Sequence, residues 1–266
     1  MSAVLSDGVR APAATNDGAV TLSGVSKVYG RGPGAVHALD NVSLTAAPGE
    51  FVCLVGASGC GKSTLLSLVS GLDTPSAGEI AVTGDAGTHP ALMFQEPALF
   101  PWLTVAGNVG LPLRLRGVPR AQRADRVAEL LRAVHLEEFG RKRPHQLSGG
   151  MRQRVALART LALETPVLLM DEPFGALDAM TRDLLHDEIE RIWTERKLTV
   201  LFVTHNVREA ARLGDRIVLL SSRPGRVVWE RRVEIPRPRR IDSPEIASIA
   251  AEVTDRLRQE VRRHGR

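Results

Sequence analysis

A glycine-rich stretch around residue 60 has the residue types and the spacing of a phosphate-binding loop. It fits the pattern of a glycine, four residues and then Gly-Lys-Ser/Thr, and its members are Gly56, Ala57, Ser58, Gly59, Cys60, Gly61, Lys62, Ser63 and Thr64. Such a turn lets several backbone N–H groups point at one anion, and the helix that follows adds its partial positive charge. Lys62 can then reach the β- and γ-phosphates of a nucleotide, and the hydroxyl of Ser63 can bind Mg²⁺.

The sequence on either side favours this interpretation over a chance glycine-rich turn. Residues 51–55 form an apolar run typical of a strand, and residues 65–69 continue as an apolar helical pattern that stops at Gly71. A phosphate loop needs this order of strand, turn and helix. Residues 39–44 predict an earlier strand, and we expect residues 51–55 to close the N-terminal group of strands to which it belongs.

Two acidic residues follow another apolar run. Residues 167–170 are all apolar, as in a central parallel strand, and Asp171 and Glu172 come directly after them. Ligands of open α/β sheets bind at the carboxyl ends of the strands. Adjacent acids can be ordinary surface residues, but in a chain with a phosphate loop this position favours metal and water chemistry.

A histidine and a tyrosine are further candidates for the same site. Residues 199–203 predict a buried strand beside residues 167–170, and His205 follows it. His205 either contacts a γ-phosphate or makes the structural hydrogen bond that is common for a histidine at a strand end. The single tyrosine, Tyr29, ends the first predicted strand, and it is either a half-buried packing residue or a ring that stacks on adenine.

A second helix N-terminus is also suited to an anion. Ser148 is a good N-cap, and the glycines after it leave the backbone N–H groups of that helix bare. A flexible cap without a ligand would have the same sequence. The residues of this segment that we single out are Leu147, Ser148, Gly149, Gly150, Met151 and Gln153.

Composition limits the class of protein. The chain has 266 residues, 43% hydrophobic and 24% charged, as in an ordinary globular protein. No run approaches the roughly 18 apolar residues of a membrane span, and two cysteines are too few for a disulfide framework. The net charge is +5, but only 4% of the residues are aromatic, so a base-stacking surface is poorly supported. We therefore expect a chain in a reducing compartment, without a nucleic-acid partner.

In their order along the chain, these motifs resemble the ATP-binding subunits of ABC transporters. Residues 56–64 match the Walker A loop, residues 167–171 the Walker B strand and residues 147–153 the signature motif of that family. A Walker A loop alone is moderately specific, whereas the whole set in the right order is very specific. The match runs from about residue 20 to about residue 230.

Single residues complete the resemblance. Gln95 matches the glutamine of the Q-loop, Asp178 the D-loop, His205 the switch histidine and Tyr29 the adenine-stacking A-loop. The one departure is Gly175, which opens the D-loop where serine is common, and we expect it to matter little.

The resemblance implies a fold and a division into domains. The fold is α/β: a P-loop NTPase cassette of the ABC type, with a RecA-like mixed-sheet core, an N-terminal antiparallel β subdomain and an inserted helical subdomain. We expect a disordered tail over residues 1–18, the nucleotide-binding domain over 19–235 with its helical subdomain over about 96–160, and a basic C-terminal extension with an amphipathic helix over 236–266.

The resemblance also implies a mechanism. ATP lies on the Walker A loop, Lys62 is catalytic, and Mg²⁺ is bound by Ser63, Gln95 and, through water, Asp171. Glu172 polarises or deprotonates the attacking water, and His205 holds both this water and the γ-phosphate. The signature residues of a second subunit complete each site, so two ATP molecules lie between two head-to-tail chains.

Finally, the resemblance implies partners. Residues 94–105, 222–228 and 236–239 are similar to segments of the nitrate, sulfonate and taurine importers, in which two integral membrane permease subunits and an extracytoplasmic solute-binding protein assemble with the ATPase. The chain would then be peripheral on the cytoplasmic face of the cell membrane. Phe100, Pro101 and Trp102 either dock the membrane subunit or pack inside the helical subdomain.

Other functions stay open at this point. Importers of pyrimidine thiamin precursors share these segments, so the solute is not fixed. A non-transport ABC ATPase of DNA repair or translation usually has two cassettes or a long coiled-coil insertion, whereas this chain has one cassette and a helical insert of roughly 50 residues between Gln95 and Ser148. The signature motif and His205 argue against a stand-alone P-loop kinase.

Overall fold

The computed structural model describes residues 18–84, 89–175 and 177–264, so nearly all of the predicted N-terminal tail lies outside the described residues. Within these ranges the strands form a three-stranded sheet and a six-stranded sheet. The strands are β1 (Val20–Tyr29), β2 (Val36–Ala46), β3 (Phe51–Val55), β4 (Ala77–Val82), β5 (Ala91–Met93), β6 (Val167–Asp171), β7 (Thr199–Val203), β8 (Arg216–Leu220) and β9 (Val227–Arg232).

The six-stranded sheet has the order β5-β6-β7-β3-β8-β9. Its first five strands are parallel, and β9 returns antiparallel to β8. All five residues of β3, of β6 and of β7 are buried, which explains the apolar runs at residues 51–55, 167–170 and 200–203. Alternate residues of β3 face opposite layers: Phe51, Cys53 and Val55 join one apolar cluster, and Val52 and Leu54 join another.

The three-stranded sheet is antiparallel, with β1 between β2 and β4. The predicted mixed core with an N-terminal antiparallel β part is therefore present. One expectation is wrong: β3 does not close the N-terminal group of strands but lies in the centre of the larger sheet, between β7 and β8. The edge strand β4 takes the place beside β1, because β3 is apolar on both faces and needs a layer on each.

Some helices cover the two faces of the larger sheet, and others pack together as a separate helical block. They are α1 (Lys62–Val69), α2 (Val105–Leu115), α3 (Arg120–Ala133), α4 (Gly149–Leu161), α5 (Ala179–Arg196), α6 (Val207–Leu213) and α7 (Pro244–His264), with 3₁₀ turns at Gly32–Gly34, Glu137–Phe139 and Pro144–Gln146. Helices α2, α3 and α4 pack against one another through residues such as Val109, Leu131 and Val155. None of the helices in the described ranges is long and apolar enough to span a membrane.

The segment after β9 is packed on the domain. Ile246 and Val253 of α7 are buried, and α7 lies against α6. The guanidinium of Arg237 stacks on the ring of Trp193, at 4.4 Å from the ring centre, and Arg237 also pairs with Glu190. Arg239 is buried and donates to backbone carbonyls around the end of α6. Arg237 and Arg239, at the start of this extension, thus act as packing residues.

Candidate functional site

The phosphate loop joins β3 to α1 and is shaped by glycine. Gly61 is the N-cap of α1 with a φ of 104°, and a Cβ there would lie 2.7 Å from the carbonyl oxygen of Ala38. No other residue fits this position without strain. The ammonium of Lys62 donates to the carbonyls of Gly56 at 2.9 Å and of Ala57 at 3.0 Å, so the charge lies inside the loop.

Three side chains meet just beyond the ends of β6 and β7. These strands are parallel neighbours, with Asp171 opposite Val203, so Glu172 and His205 leave the sheet side by side. Oε2 of Glu172 lies 3.1 Å from Nδ1 of His205 and accepts from Nε2 of Gln95 at 3.3 Å. Oε2 of Glu172 therefore has two hydrogen-bond partners. The sequence motifs do not predict this arrangement.

The backbone of Glu172 is strained. Its φ is 45°, in the left-handed region that non-glycine residues seldom adopt, while its N–H donates to the carbonyl of Val203 at 2.9 Å. Such a conformation costs roughly 1–3 kcal/mol and persists where its surroundings hold it in place. Strain of this kind clusters at functional sites. Glu164, with a φ of 48°, has a similar backbone but does not line the cavity, so Glu172 is the one of the two that is placed for chemistry.

Asp171 is buried next to the loop. Desolvation raises the pKa of its carboxyl group above the ordinary value, and a hydrogen bond with Ser63 opposes this rise. The hydroxyl of Ser63, the amide oxygen of Gln95 and the carboxylate of Asp171 are oxygen donors of the kind that Mg²⁺ prefers. This mixed set fits Mg²⁺ by the chemistry of its oxygen donors, whereas no group of three or more His, Cys, Asp or Glu side chains within the described residues could hold a metal ion.

Most of the phosphate loop, together with Gln95, Glu172 and His205, lines one cavity of about 520 Å³, in the range of sites for small molecules. It extends from the end of β1 to the Glu172 and His205 pair. Its lining comprises Tyr29, Val36, Ala38, Gly56, Ser58, Gly59, Gly61, Lys62, Ser63, Thr64, Gln95, Glu172, His205 and Arg223. Eleven of the fourteen residues predicted to bind ATP or metal, or to act in catalysis, within one chain are thus brought together, and Ala57, Cys60 and Asp171 are not in the lining. Val36, Ala38 and Arg223 are additions that the sequence analysis missed.

Tyr29 presents its ring at one end of the cavity. The ring is 42% exposed, and the hydroxyl donates to Asp73 at 3.0 Å. Lys27 lies over the ring at 4.9 Å and bonds the same carboxylate, which holds the pKa of Asp73 below its ordinary value. The ring is therefore fixed at its hydroxyl end and open on the cavity side. Lys27 and Asp73 carried no signal in the sequence, since they lie 46 positions apart.

The signature segment does not line this cavity. Ser148 is exposed, and its Oγ accepts from the N–H of Met151 at 3.2 Å, as expected of an N-cap. Gly149 is exposed as well, whereas Leu147 is buried. Gln153 is also buried, and its Nε2 donates to the backbone carbonyl of Gln95 at 3.2 Å, so within one chain it links α4 to the segment of Gln95.

Asp178 and the aromatic segment lie elsewhere. Asp178 is the N-cap of α5 and accepts from the N–H of Thr181 at 3.0 Å, which holds the pKa of the carboxyl group below its ordinary value. The rings of Phe100 and Trp102 are 5.4 Å apart, and Trp102 is 67% exposed. Pro101 is exposed between them.

Two partners that the sequence did not reveal shape the aromatic segment. The buried Asn108 accepts from the N–H of Phe100 at 2.8 Å and donates to the carbonyl of Thr104 at 3.0 Å. Arg159 of α4 donates to the carbonyls of Pro97 and Ala98 at 2.8 and 2.7 Å. The exposed ring of Trp102 thus stands on a turn that is fixed from both sides.

A buried polar network lies behind His205. Thr204 donates to Glu209, which also pairs with Nε2 of His186 at 2.8 Å, and Arg212 contacts Nδ1 of His186 at 2.9 Å. Because arginine can only donate, Nδ1 accepts, and His186 carries its proton on Nε2 towards Glu209. This network ties α5 and α6 to the residue before His205, and only the tertiary structure reveals it.

Comparison with known proteins gives concordant matches. The family described as "ABC transporter" matches residues 39–175. The aliphatic sulfonates import ATP-binding protein SsuB of Burkholderia ambifaria is 49% identical over 241 residues, covering 90% of this chain and 72% of that protein. The nitrate import ATP-binding protein NrtD of Synechocystis sp. is 45% identical over 219 residues, covering 81% and 82%.

Solved structures agree with these matches. The ATP-binding cassette MJ0796, in a dimeric post-hydrolysis state bound to ADP and Pi, has a TM-score of 0.74 and 36% identity, and the alignment covers 82% of this chain and 100% of that one. A second dimeric structure of the same cassette has a TM-score of 0.75.

Proposed function

Since the chain belongs to the ABC transporter family and is an ATPase cassette of that family, we propose that it powers the import of a small anionic solute by a multi-subunit transporter. The observation that carries the proposal is the single cavity in which the phosphate loop faces Glu172, Gln95 and His205. Residues 56–64 bind the phosphates of ATP there, and the ring of Tyr29 stacks on the adenine.

In the hydrolytic step, Glu172 accepts a proton from the water that attacks the γ-phosphorus. His205, next to Glu172, donates a hydrogen bond to the γ-phosphate and orients it. Lys62 and the backbone N–H groups of the loop stabilise the charge that spreads over the phosphate oxygens, and this electrostatic contribution is the largest in such sites. Ser63, Gln95 and Asp171 would hold Mg²⁺, which neutralises phosphate charge when bound.

The site is completed by a second copy of the chain. The exposed N-terminus of α4, with Ser148 and Gly149, does not line the cavity of its own chain, yet it presents free N–H groups of the kind that bind phosphate. A partner's signature segment, residues 147–153, would contribute them in trans, with Asp178 at the same interface. The dimeric state of the MJ0796 cassette supports this arrangement.

Two integral membrane permease subunits bind on the side of the helical subdomain, residues 96–160. The exposed ring of Trp102, with Phe100 and Pro101, offers an apolar contact on a fixed turn. The chain is then peripheral on the cytoplasmic face of the membrane, and an extracytoplasmic solute-binding protein delivers the solute to the permease.

The solute is an aliphatic sulfonate, taurine or nitrate. The similarity to SsuB, named for the import of aliphatic sulfonates, and to NrtD, named for the import of nitrate, supports this choice, and a thiamin precursor is the alternative. Aliphatic sulfonates and taurine carry an anionic sulfonate group and nitrate is itself an anion, whereas a pyrimidine precursor has no such anionic group.

The experiment is reconstitution of the chain with its membrane subunits in proteoliposomes that contain the solute-binding protein. We expect ATP-dependent uptake of a sulfonate or of nitrate from a panel of solutes. Glu172→Gln is the matched control: it keeps ATP binding, lowers kcat by a factor of about 10² to 10⁴ and abolishes uptake. ATP hydrolysis without any membrane partner, together with salt-sensitive binding to DNA or RNA, would contradict the transport function.

A further inference from the structure

The connection between β8 and β9 brings an arginine to the mouth of the nucleotide cavity. Arg223 lies on this turn and lines the cavity together with Tyr29 and Lys62. Its Nε donates to the carbonyl of Gly59 in the phosphate loop at 3.1 Å. A Cβ on Gly59 would be 3.2 Å from Nη2 of Arg223, so the guanidinium lies directly over the loop.

The turn that carries Arg223 is held by backbone hydrogen bonds. The N–H of Gly225 donates to the carbonyl of Ala38 at 2.9 Å, and the N–H of Asp40 donates to the carbonyl of Gly225 at 3.0 Å. A Cβ on Gly225 would lie 2.2 Å from the carbonyl oxygen of Cys60, so only glycine permits this approach. The turn is thus seated on both β2 and the phosphate loop.

A side chain closes the same turn from within. Oγ of Ser221 donates to the carbonyl of Pro224 at 2.8 Å and accepts from the N–H of Arg226 at 2.9 Å. The guanidinium of Arg226 pairs with Asp40 on the outer side and does not line the cavity. The two arginines of this turn therefore point to different surroundings, which makes Arg226 a matched control for Arg223.

The free hydrogen-bonding capacity of Arg223 faces an anion site. A guanidinium has five N–H donors, and the bond to Gly59 uses one of them. Among the described residues no carboxylate pairs with Arg223. An exposed guanidinium in a cavity lined by the phosphate loop is suited to phosphate oxygens, which arginine binds with two parallel donors.

We propose that Arg223 is a second cationic contact to the phosphates of bound ATP, in addition to Lys62, and that it bridges these phosphates to the Gly59 carbonyl. This inference rests on the proposed binding of ATP in the cavity. Arg223 hydrogen-bonds Gly59 and makes no bond to Glu172 or His205, so we expect its effect to fall on the affinity for nucleotide.

The test measures binding of methylanthraniloyl derivatives of ATP and of adenosine to the purified full chain. Arg223→Ala is expected to raise the Kd for the ATP derivative about tenfold or more, because it removes a charge-assisted bond. The Kd for the adenosine derivative should not change. Arg223→Lys restores part of the affinity for the ATP derivative, and Arg226→Ala leaves both affinities near those of wild type.

Each other outcome is decisive. An unchanged Kd for the ATP derivative in Arg223→Ala overturns the contact, and so does an equal loss for both derivatives, which would mean a distorted loop. Should Arg223→Ala not fold, Arg223→Gln replaces it, since the amide keeps the bond to Gly59 without the charge. A wild-type chain that binds neither derivative would contradict the proposed function itself, before Arg223 is considered.

Discussion

The substitution Arg239→Ala measures how firmly the segment after β9 is attached to the catalytic domain. The guanidinium of Arg239 is buried, its hydrogen bonds go to backbone carbonyls, and it also lies 3.9 Å from the carboxylate of Asp215. The short bonds reach Gly214 at 2.6 Å, Ile235 at 2.8 Å and Val233 at 3.0 Å, and longer ones reach the end of α6. Truncation therefore leaves several buried carbonyls of two chain segments without a donor.

The magnitude follows from these contacts. Three short bonds from a charged donor, at about 1.5–3 kcal/mol each, would total roughly 4.5–9 kcal/mol. Burial and the nearby Arg237 oppose this gain, because both disfavour the charged guanidinium of Arg239. Together they lower its pKa to about 10. We expect a net loss of about 3–5 kcal/mol in the free energy of unfolding. For a domain of this size that corresponds to a fall in Tm of about 10 °C.

The assay is thermal unfolding followed by circular dichroism, with Arg240→Ala as the control. Arg240 is the next residue, but its side chain is 81% exposed and pairs only with the exposed Asp242 at 3.1 Å. Exposed pairs contribute little, so the control should keep its Tm within about 2 °C of wild type. If Arg239→Ala also stayed within that range, the attribution of stability to the carbonyl contacts would be refuted.

Three further predictions concern the site. Ser148→Arg should block ATP hydrolysis while the Kd for ATP of the isolated chain stays unchanged, because Ser148 does not line the cavity of its own chain. Equilibrium binding and a phosphate-release assay measure the two effects. A collapse of ATP affinity would contradict the composite site. Tyr29→Ala should weaken ATP binding roughly 5- to 150-fold through lost stacking, while Tyr29→Phe should keep an ATP affinity near that of wild type. Equal losses of affinity in both variants would assign the effect to the hydrogen bond between the Tyr29 hydroxyl and Asp73. Desolvation raises the pKa of Asp171, and Mg²⁺ needs the ionised carboxylate. The Mg²⁺ concentration for half-maximal hydrolysis should therefore rise as the pH falls through that raised pKa, and Asp171→Asn should abolish this dependence. An identical pH profile in the variant would exclude Asp171 from the Mg²⁺ site.

The parts of the site that could be predicted from the sequence are those formed by residues that are contiguous along the chain. The phosphate loop, the buried strands and the two acids at the end of β6 each follow from local rules of turn geometry and burial. His205 could be placed beside Glu172 because parallel neighbours end at the same edge of a sheet. Local pattern and edge geometry were sufficient for these residues.

The remaining features depend on contacts between distant segments. The pairing of β4 with β1, rather than of β3 with the first strands, is decided by which strand is apolar on both faces. The left-handed backbone of Glu172 has no sequence signal, since glutamate seldom adopts it. Arg223 reaches Gly59 across 164 positions, and the side chain of Gln153 meets Gln95 across 58. Only tertiary packing brings such pairs together.

The hydrogen bonds to one oxygen of Glu172 connect the catalytic carboxylate to distant helices. Oε2 has Gln95 and His205 as partners, whereas Oε1 keeps its lone pairs for the proton of the attacking water. Gln95 is joined through its carbonyl to α4, and the residue before His205 is joined to the buried network on α5 and α6. A movement of α4, α5 or α6 relative to the large sheet would therefore displace the carboxylate that receives the proton, so the position of whole helices sets the rate of ATP hydrolysis.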